Sequence, residues 1–199
     1  MPSTSRTFVA LPIPEIQRVR LGRLQGLIAP DLPGAKWVTP ELFHITLAFL
    51  GDVPDVDLAG LCRSVAEATA GLTRFTLNLQ SLGAFGEPTR PRTAWVGVAG
   101  PGLDALLELR EAVARAAAEA GYPPDTDRFD PHLTLGRLKL RRGEEVDMPR
   151  LIAHFRTWSA GNFEVSSIVT LASTLAPEGP TYMTLATAPI KAPKRRPDA

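Results

Sequence analysis

Two short segments carry most of the chemistry this sequence can offer. His44-Ile45-Thr46-Leu47 and His132-Leu133-Thr134-Leu135 stand 88 positions apart. The chain has three histidines, and two of them are followed at the second place by threonine. With 17 threonines in 199 residues, that is an uncommon coincidence. In an extended strand residues i and i+2 share a face, so each segment presents an imidazole beside a hydroxyl. Ile45, Leu47, Leu133 and Leu135 then turn to the opposite, buried face. Two imidazoles with ordinary pKa values of about 6.5 can be held one neutral and one protonated at neutral pH. One takes a proton from a nucleophile while the other gives one to a leaving group. Hydroxyls between them donate to oxygens on which negative charge builds. That set suits in-line displacement at phosphorus without a metal. Two other readings stay open: a duplicated hydrogen-bonding device that is purely structural, and a pair of metal ligands. The second lacks company, because two histidines supply two ligands and no Cys or His cluster of metal-binding spacing accompanies them. Asp130-Pro131, just ahead of the second segment, reads as a turn.

The elements that must position these residues are short, punctuated by 19 prolines and 16 glycines. Residues 6–11, 43–50, 75–82, 93–98, 132–138, 163–171 and 182–188 read as strands. Residues 14–28, 54–70, 103–120 and 147–158 read as helices, with Gly71 and Gly121 as stops. The clearest is 103–120, with Leu103, Leu106, Leu107, Leu109, Val113, Ala114 and Ala117 on its inner face. A β-α-β-α-β pattern thus occurs twice, over about 6–90 and 91–188, and each histidine tetrad occupies the third element of its half. Two sheets with outer helices, set side by side around a cleft, fit this pattern.

Composition excludes several classes. Hydrophobic residues make up 44% and charged residues 22%, which suits one globular domain rather than a disordered chain, a collagen or a coiled coil. Lys and Arg number 22 against 21 Asp and Glu, so no broad positive field exists and any polyanion must be met by a local site. A single cysteine closes no internal disulfide, so the cytoplasm is the expected setting. Cys62, at helical spacing from Leu58, Leu61, Val65 and Ala66, reads as a packing residue. No run of about 18 apolar residues occurs, so no membrane span is expected. The first residues lack a basic head and carry prolines in their apolar stretch, unlike a secretory signal. His154 has no threonine partner and reads as a surface or packing residue. Trp37, Trp95 and Trp158 read as core or rim, and Arg90 and Arg92 as part of a solvated loop. The domain is expected over residues 1–190. Residues 191–199, KAPKRRPDA, read as a disordered basic tail. A monomer is expected.

With these flanks the doubled tetrad resembles the two-histidine phosphoesterase superfamily. Within it, the chain is similar to the RNA 2′,3′-cyclic phosphodiesterases, historically called 2′-5′ RNA ligases. The segments that carry the resemblance are RTFVAL, KWVTPELFHITLAFLGDV, LGAFGEPTRPRTAWVGV, DRFDPHLTLGRL and STLAPEGPTYMTLAT. It implies an α+β fold of two pseudo-symmetric lobes, each a mainly antiparallel sheet with outer helices, around a central cleft. It implies hydrolysis of RNA 3′ ends bearing a 2′,3′-cyclic phosphate to 2′-phosphomonoesters. It assigns His44 as proton donor, His132 as proton acceptor, and Thr46 and Thr134 as phosphate-oxygen ligands. A ribose 5′-hydroxyl in place of water would make a 2′,5′ linkage. No nucleotide activation is then needed, no GxxxxGK[ST] loop occurs, and no cofactor is expected. The resemblance also points to Arg137 as a substrate contact. Phe49 and Arg137 each lie five places after their histidine, and strict alternation puts an odd offset on the wrong face. A bulge at Gly136 would turn Arg137 back. Phe49 would stack on a terminal base, or sit in the core. Three rival readings remain: a phosphodiesterase for 2′-5′ oligonucleotides, one for small cyclic nucleotides, and a noncatalytic RNA-end binding module.

Overall fold

Nine strands and four α-helices place the tetrads in a computed structural model describing residues 3–124, 129–176 and 179–192. In order they are β1 (Thr4–Pro12), α1 (Glu15–Ile28), β2 (Ala35–Trp37), β3 (His44–Pro54), α2 (Asp55–Thr69), β4 (Phe75–Glu87), β5 (Arg90–Ala99), α3 (Leu103–Glu119), β6 (His132–Leu138), α4 (Met148–His154), β7 (Ser159–Val165), β8 (Ser167–Ala176) and β9 (Gly179–Pro189). The strands form two sheets, ordered β3-β1-β8-β9 and β2-β6-β5-β4-β7, with antiparallel pairing throughout. The fold is α+β, as expected.

The two lobes are not the two halves of the chain. β1 is flanked by β3 and β8, and β5 is flanked by β6 and β4. The order β3-β1-β8-β9 thus recurs as β6-β5-β4-β7, with β2 added outside β6. Strands late in the chain complete the first sheet, and β4, from the earlier half, completes the second. Neither half can leave without opening both sheets.

Helices form where the apolar period is 3.6 and cover the sheets. α3 buries Leu106, Leu109, Ala112, Val113, Ala116 and Ala117 in one stripe, with Asp104 in its first turn and Gly121 at φ +92° just past its end. Leu107 is 44% exposed, so it lies off the inner stripe where the sequence pattern had placed it. One residue on from Leu106 is about a quarter turn away. α2 and α3 pack together, and both reach β3. A single apolar cluster runs through both lobes, from Val9, Leu11 and Ile45 to Leu133, Leu135 and Phe163.

Several element boundaries differ from the sequence pattern. The apolar run 163–171 is two strands: β7 and β8 belong to different sheets, and Ser166 is the corner between them. Residues 83–92, rich in Gly and Pro, are not a loop. They continue β4 and β5 into one long hairpin turning at 88–89, with a bulge between Phe85 and Gly86. The helix expected to reach 158 stops at His154. Of the expected tail, Lys191 is paired: its N–H donates to the Leu72 carbonyl at 3.2 Å, and its carbonyl accepts from the Arg74 N–H at 2.9 Å. Residues 193–199 lie outside the described residues. No helix among the described residues is long and apolar enough to cross a membrane.

α1 makes one buried polar contact on which the second tetrad leans. Its inner stripe is Gln17, Leu21, Leu24, Gln25 and Ile28. Gln25 Nε2 donates to the Val38 carbonyl at 2.8 Å and to the Leu135 carbonyl at 2.9 Å. Leu135 belongs to the HLTL tetrad, and its carbonyl also accepts the Val38 N–H at 2.9 Å. A buried amide group is costly to leave unpaired. Replacing Gln25 with leucine fills the space and removes the shared donor. We expect Gln25→Leu to lower unfolding stability by about 1–3 kcal/mol. Urea denaturation checks this as a lower midpoint at unchanged slope.

Candidate active site

Both histidine tetrads open β strands of the same burial rhythm. From His44 to Leu50 the residues alternate half-buried, buried, half-buried, buried, buried, exposed, buried, and His132 to Leu138 repeat that order. The doubled buried residue in each marks a β-bulge. Opposite β3, Val9 pairs with Ala48 and Ala10 with Thr46, leaving Leu47 without a partner. Opposite β6, Ala94 pairs with Gly136 and Trp95 with Thr134, leaving Leu135 without one. An extra residue shifts the phase of every side chain after it. Phe49 and Arg137 are therefore returned to the face of their histidines, which removes the parity objection. The unpaired residue is Leu135 rather than Gly136. Gly136 has another duty: a Cβ there would lie 2.8 Å from the Trp37 ring.

One cleft of about 410 Å³ collects all six candidates. His44, Thr46, Phe49, His132, Thr134 and Arg137 line it, together with Arg6, Phe8, Val38, Leu42, Ser173, Pro180 and Tyr182. Among the described residues neither threonine hydroxyl has a side-chain or carbonyl partner, so both are available to a ligand. Phe49 is 58% exposed, too open for a core residue. Among the described residues no three His, Cys, Asp or Glu side chains converge as a metal site would need.

Each imidazole is fixed in the same way. His44 Nδ1 lies 2.7 Å from the Leu42 carbonyl and His132 Nδ1 lies 2.8 Å from the Asp130 carbonyl, in both cases two residues upstream. A carbonyl accepts only, so each Nδ1 carries the hydrogen and donates it. Nε2 is then the nitrogen left to gain or lose a proton.

The rings are also walled by aromatic groups. Phe8 and Tyr182 stand 5.0 and 5.4 Å from His44, centroid to centroid, with Tyr182 edge-on. Phe85 stands edge-on to His132 at 4.9 Å, and Trp95 at 6.1 Å. Gly83 makes room for Trp95, since a Cβ there would lie 2.2 Å from the indole. Burial lowers the His44 pKa from its usual 6.5, the Leu42 carbonyl opposes that shift, and the nearby His132 adds to it. Burial raises the Tyr182 pKa, and Arg137 partly offsets it.

Sequence reasoning missed Arg6, Phe8, Tyr182, Ser173 and Phe85. Arg6, Phe8 and Ala10 alternate along β1, so their shared face was readable. That β1 lies between β3 and β8 was not. Other candidates fall away from the cleft. His154 is exposed on α4 against Phe155. Arg90 is tied to the carbonyls of Glu144 and Arg141, the latter at 3.1 Å. Cys62 is half-buried, with its thiol pKa raised by burial.

A family model described as a LigT-like phosphoesterase matches the chain twice, over residues 11–95 and 96–182. An RNA 2′,3′-cyclic phosphodiesterase of Aeropyrum pernix is 39% identical over 169 residues, covering 83% of this chain and 92% of that protein. One from Geobacillus stearothermophilus is 38% identical over 186 residues, covering 94% of this chain and 57% of that protein. The chain thus spans little more than half of the second relative's length. The crystal structure of TT0787 of Thermus thermophilus superposes with a TM-score of 0.76 at 26% identity, over 94% of this chain and 98% of that one. E. coli LigT in its apo form shares the fold, with a TM-score of 0.75 at 22% identity over 95% and 99% of the two chains. The doubled match and these relatives show that the chain belongs to the LigT-like phosphoesterase family.

Proposed function

We propose that this chain hydrolyses the 2′,3′-cyclic phosphate at an RNA 3′ end to a 2′-phosphomonoester, with paired histidines and no metal. The observation that supports the reading most is one cleft holding two Nδ1-tethered imidazoles and two unengaged threonine hydroxyls. The relatives named as RNA 2′,3′-cyclic phosphodiesterases support the substrate class. In the reaction, His132 Nε2 takes a proton from water as the water oxygen bonds to phosphorus. The bond from phosphorus to O3′ breaks, and His44 Nε2–H gives its proton to that oxygen. Thr46 and Thr134 donate to the non-bridging oxygens, and Arg137 stabilises their charge. One turnover leaves His44 neutral and His132 protonated, and exchange with solvent resets both. The acid and base roles follow the family resemblance.

Joining of RNA ends through a 2′,5′ linkage is the same displacement with a ribose 5′-hydroxyl where the water stands, again breaking the bond from phosphorus to O3′. Phe85, 36% exposed and edge-on to His132, supports this second reading by offering the incoming nucleoside a stacking face.

Replacing either histidine removes one proton transfer. We expect His44→Ala and His132→Ala each to lower turnover of an oligoribonucleotide 2′,3′-cyclic phosphate by about 10²–10⁴-fold, with unchanged far-UV circular dichroism. The assay runs with and without chelator. Near-normal turnover in either variant ends the paired-histidine reading, and loss of wild-type turnover in chelator ends the metal-free one.

The pH dependence follows from His44. An acid of lowered pKa loses its proton earlier as pH rises. The alkaline limb of kcat/KM, which reports the free enzyme, is therefore expected below the usual 6.5. Anionic phosphate in the cleft favours the imidazolium, so the kcat limb lies at higher pH than the kcat/KM limb. Tyr182→Ala uncovers the ring, relieves the burial and moves the kcat/KM limb upward. Rate profiles from about pH 5 to 8 check both shifts. A downward move in the variant contradicts the acid role of His44.

A further inference from the structure

The first sheet carries the cleft well beyond the reacting phosphate. Cross-strand partners share a face, so along β1 Pro12 stands beside His44, Ala10 beside Thr46, and Phe8 beside Phe49. Arg6 follows, flanked by Asp52 on β3 and by Ser173 on β8. From Ala10 to Arg6 is about 13 Å of strand, longer than one phosphate-to-phosphate step, and the long Arg6 side chain lines the cleft and shortens that distance. Arg6 and Ser173 line the same cleft as both histidines. In the other direction, behind His44 and Tyr182, lies a separate hollow of about 210 Å³.

The two ends differ in charge. The hollow behind His44 holds Arg18 and Glu41, and Arg18 is already bound to Glu15 at 2.8 Å. Among the described residues that wall carries no uncommitted cation. At the opposite end Arg6 is exposed and, among the described residues, forms no ion pair, even with its cross-strand neighbour Asp52. A polyanion leaving the site is repelled by Glu41 in one direction and met by a free guanidinium in the other. Arginine suits such a task because its planar fork matches two phosphate oxygens at once.

Direction then follows from the proposed reaction, on which this inference rests. Water attacks on the His132 side, so the ribose that bears O2′ and O3′ sits on the His44 side, over the first sheet. The remainder of the RNA must leave along that sheet. We infer that Arg6, with Ser173 beside it, forms a second phosphate subsite for the phosphodiester immediately 5′ of the terminal nucleotide. Phe49 lies between the two phosphates, where the terminal base stacks. The preferred substrate is accordingly an oligoribonucleotide end rather than a mononucleoside cyclic phosphate.

Three probes test this: a mononucleoside 2′,3′-cyclic phosphate, a dinucleotide ending in one, and the same dinucleotide with a neutral methylphosphonate linkage. The readout is the ratio of kcat/KM for dinucleotide over mononucleotide. We expect a ratio of about tenfold or more in the wild type. It should collapse toward one in Arg6→Gln and for the methylphosphonate probe. Arg115→Gln, which removes a charge from the outer face of α3, should keep the ratio. The salt dependence for the charged dinucleotide should weaken by about 0.7 in log–log slope in Arg6→Gln. A ratio that survives in Arg6→Gln, or a methylphosphonate probe used as well as the diester, overturns the subsite. Binding of the dinucleotide 2′-phosphate product, measured by calorimetry, is read in the same variants without turnover. If the wild type turns over no probe, the proposed function falls, and the subsite is judged by whether Arg6→Gln alone weakens that binding about tenfold.

Discussion

A carbonyl oxygen has no proton to give, and that fact sets the working state of the cleft. The Leu42 and Asp130 carbonyls sit 2.7 and 2.8 Å from the Nδ1 atoms of His44 and His132. Each therefore demands a hydrogen on Nδ1, in the neutral and the protonated ring alike. Proton exchange is confined to Nε2, and the ring cannot flip without losing its bond. Both tethers come from the strand's own backbone two residues upstream. The orientation of each imidazole is thus built by the entry of the chain into β3 or β6, not by a distant side chain. Aromatic walls then hold the rings laterally, by contacts worth about 0.5–1.5 kcal/mol each.

The same two strands solve a second problem with one inserted residue each directly after the tetrad threonine. A strand offers its cleft face every other position, and a site needing residues at offsets zero, two and five cannot be met by strict alternation. Leu47 and Leu135 are the inserted residues. They stay buried, so the core loses little, while Phe49 and Arg137 are brought round to the cleft. Bulges weaken pairing locally. The Leu135 carbonyl, which sits at one, is compensated by the Gln25 amide and the Val38 N–H, both from outside the β5-β6 ladder. A helix that packs as an ordinary amphipathic element therefore also supports the second wall of the cleft.

Much of this was legible in residue types and spacing. The tetrads and the helices α2 and α3 follow from period and punctuation, which are local, whereas the antiparallel α+β class was implied by the family resemblance. What was not legible is non-local. Nothing in the run 163–171 says that its two ends serve different sheets, because both ends are apolar and extended. The segment 83–92 carries the Gly and Pro of a loop, yet Gly86 accommodates a bulge at φ +109° and the strands continue through it. The alternation of Arg6 and Phe8 was visible, but their place beside the tetrad depends on which strand neighbours β3. Gln25 lies on a helix face that reads as apolar, and its worth appears only when the carbonyls it reaches are known.

The near-identity of the two tetrads raises the question of how a twofold pattern supports an asymmetric reaction. Identical sequence at the histidine and threonine fixes only what the two walls share: a tethered imidazole and a hydroxyl. The difference enters at the fifth residue, where one bulge presents a phenylalanine and the other an arginine. It also enters from neighbouring strands, where Phe8 and Tyr182 enclose His44 while Phe85 and Trp95 stand by His132. A cation beside one wall and an aromatic face beside the other favour different parts of a nucleotide, phosphate charge and base. A cyclic phosphate held between them would then seat in one orientation, and orientation decides which imidazole meets the leaving oxygen. In this view the duplicated strands supply the proton chemistry, and the residues that break the duplication give it a direction.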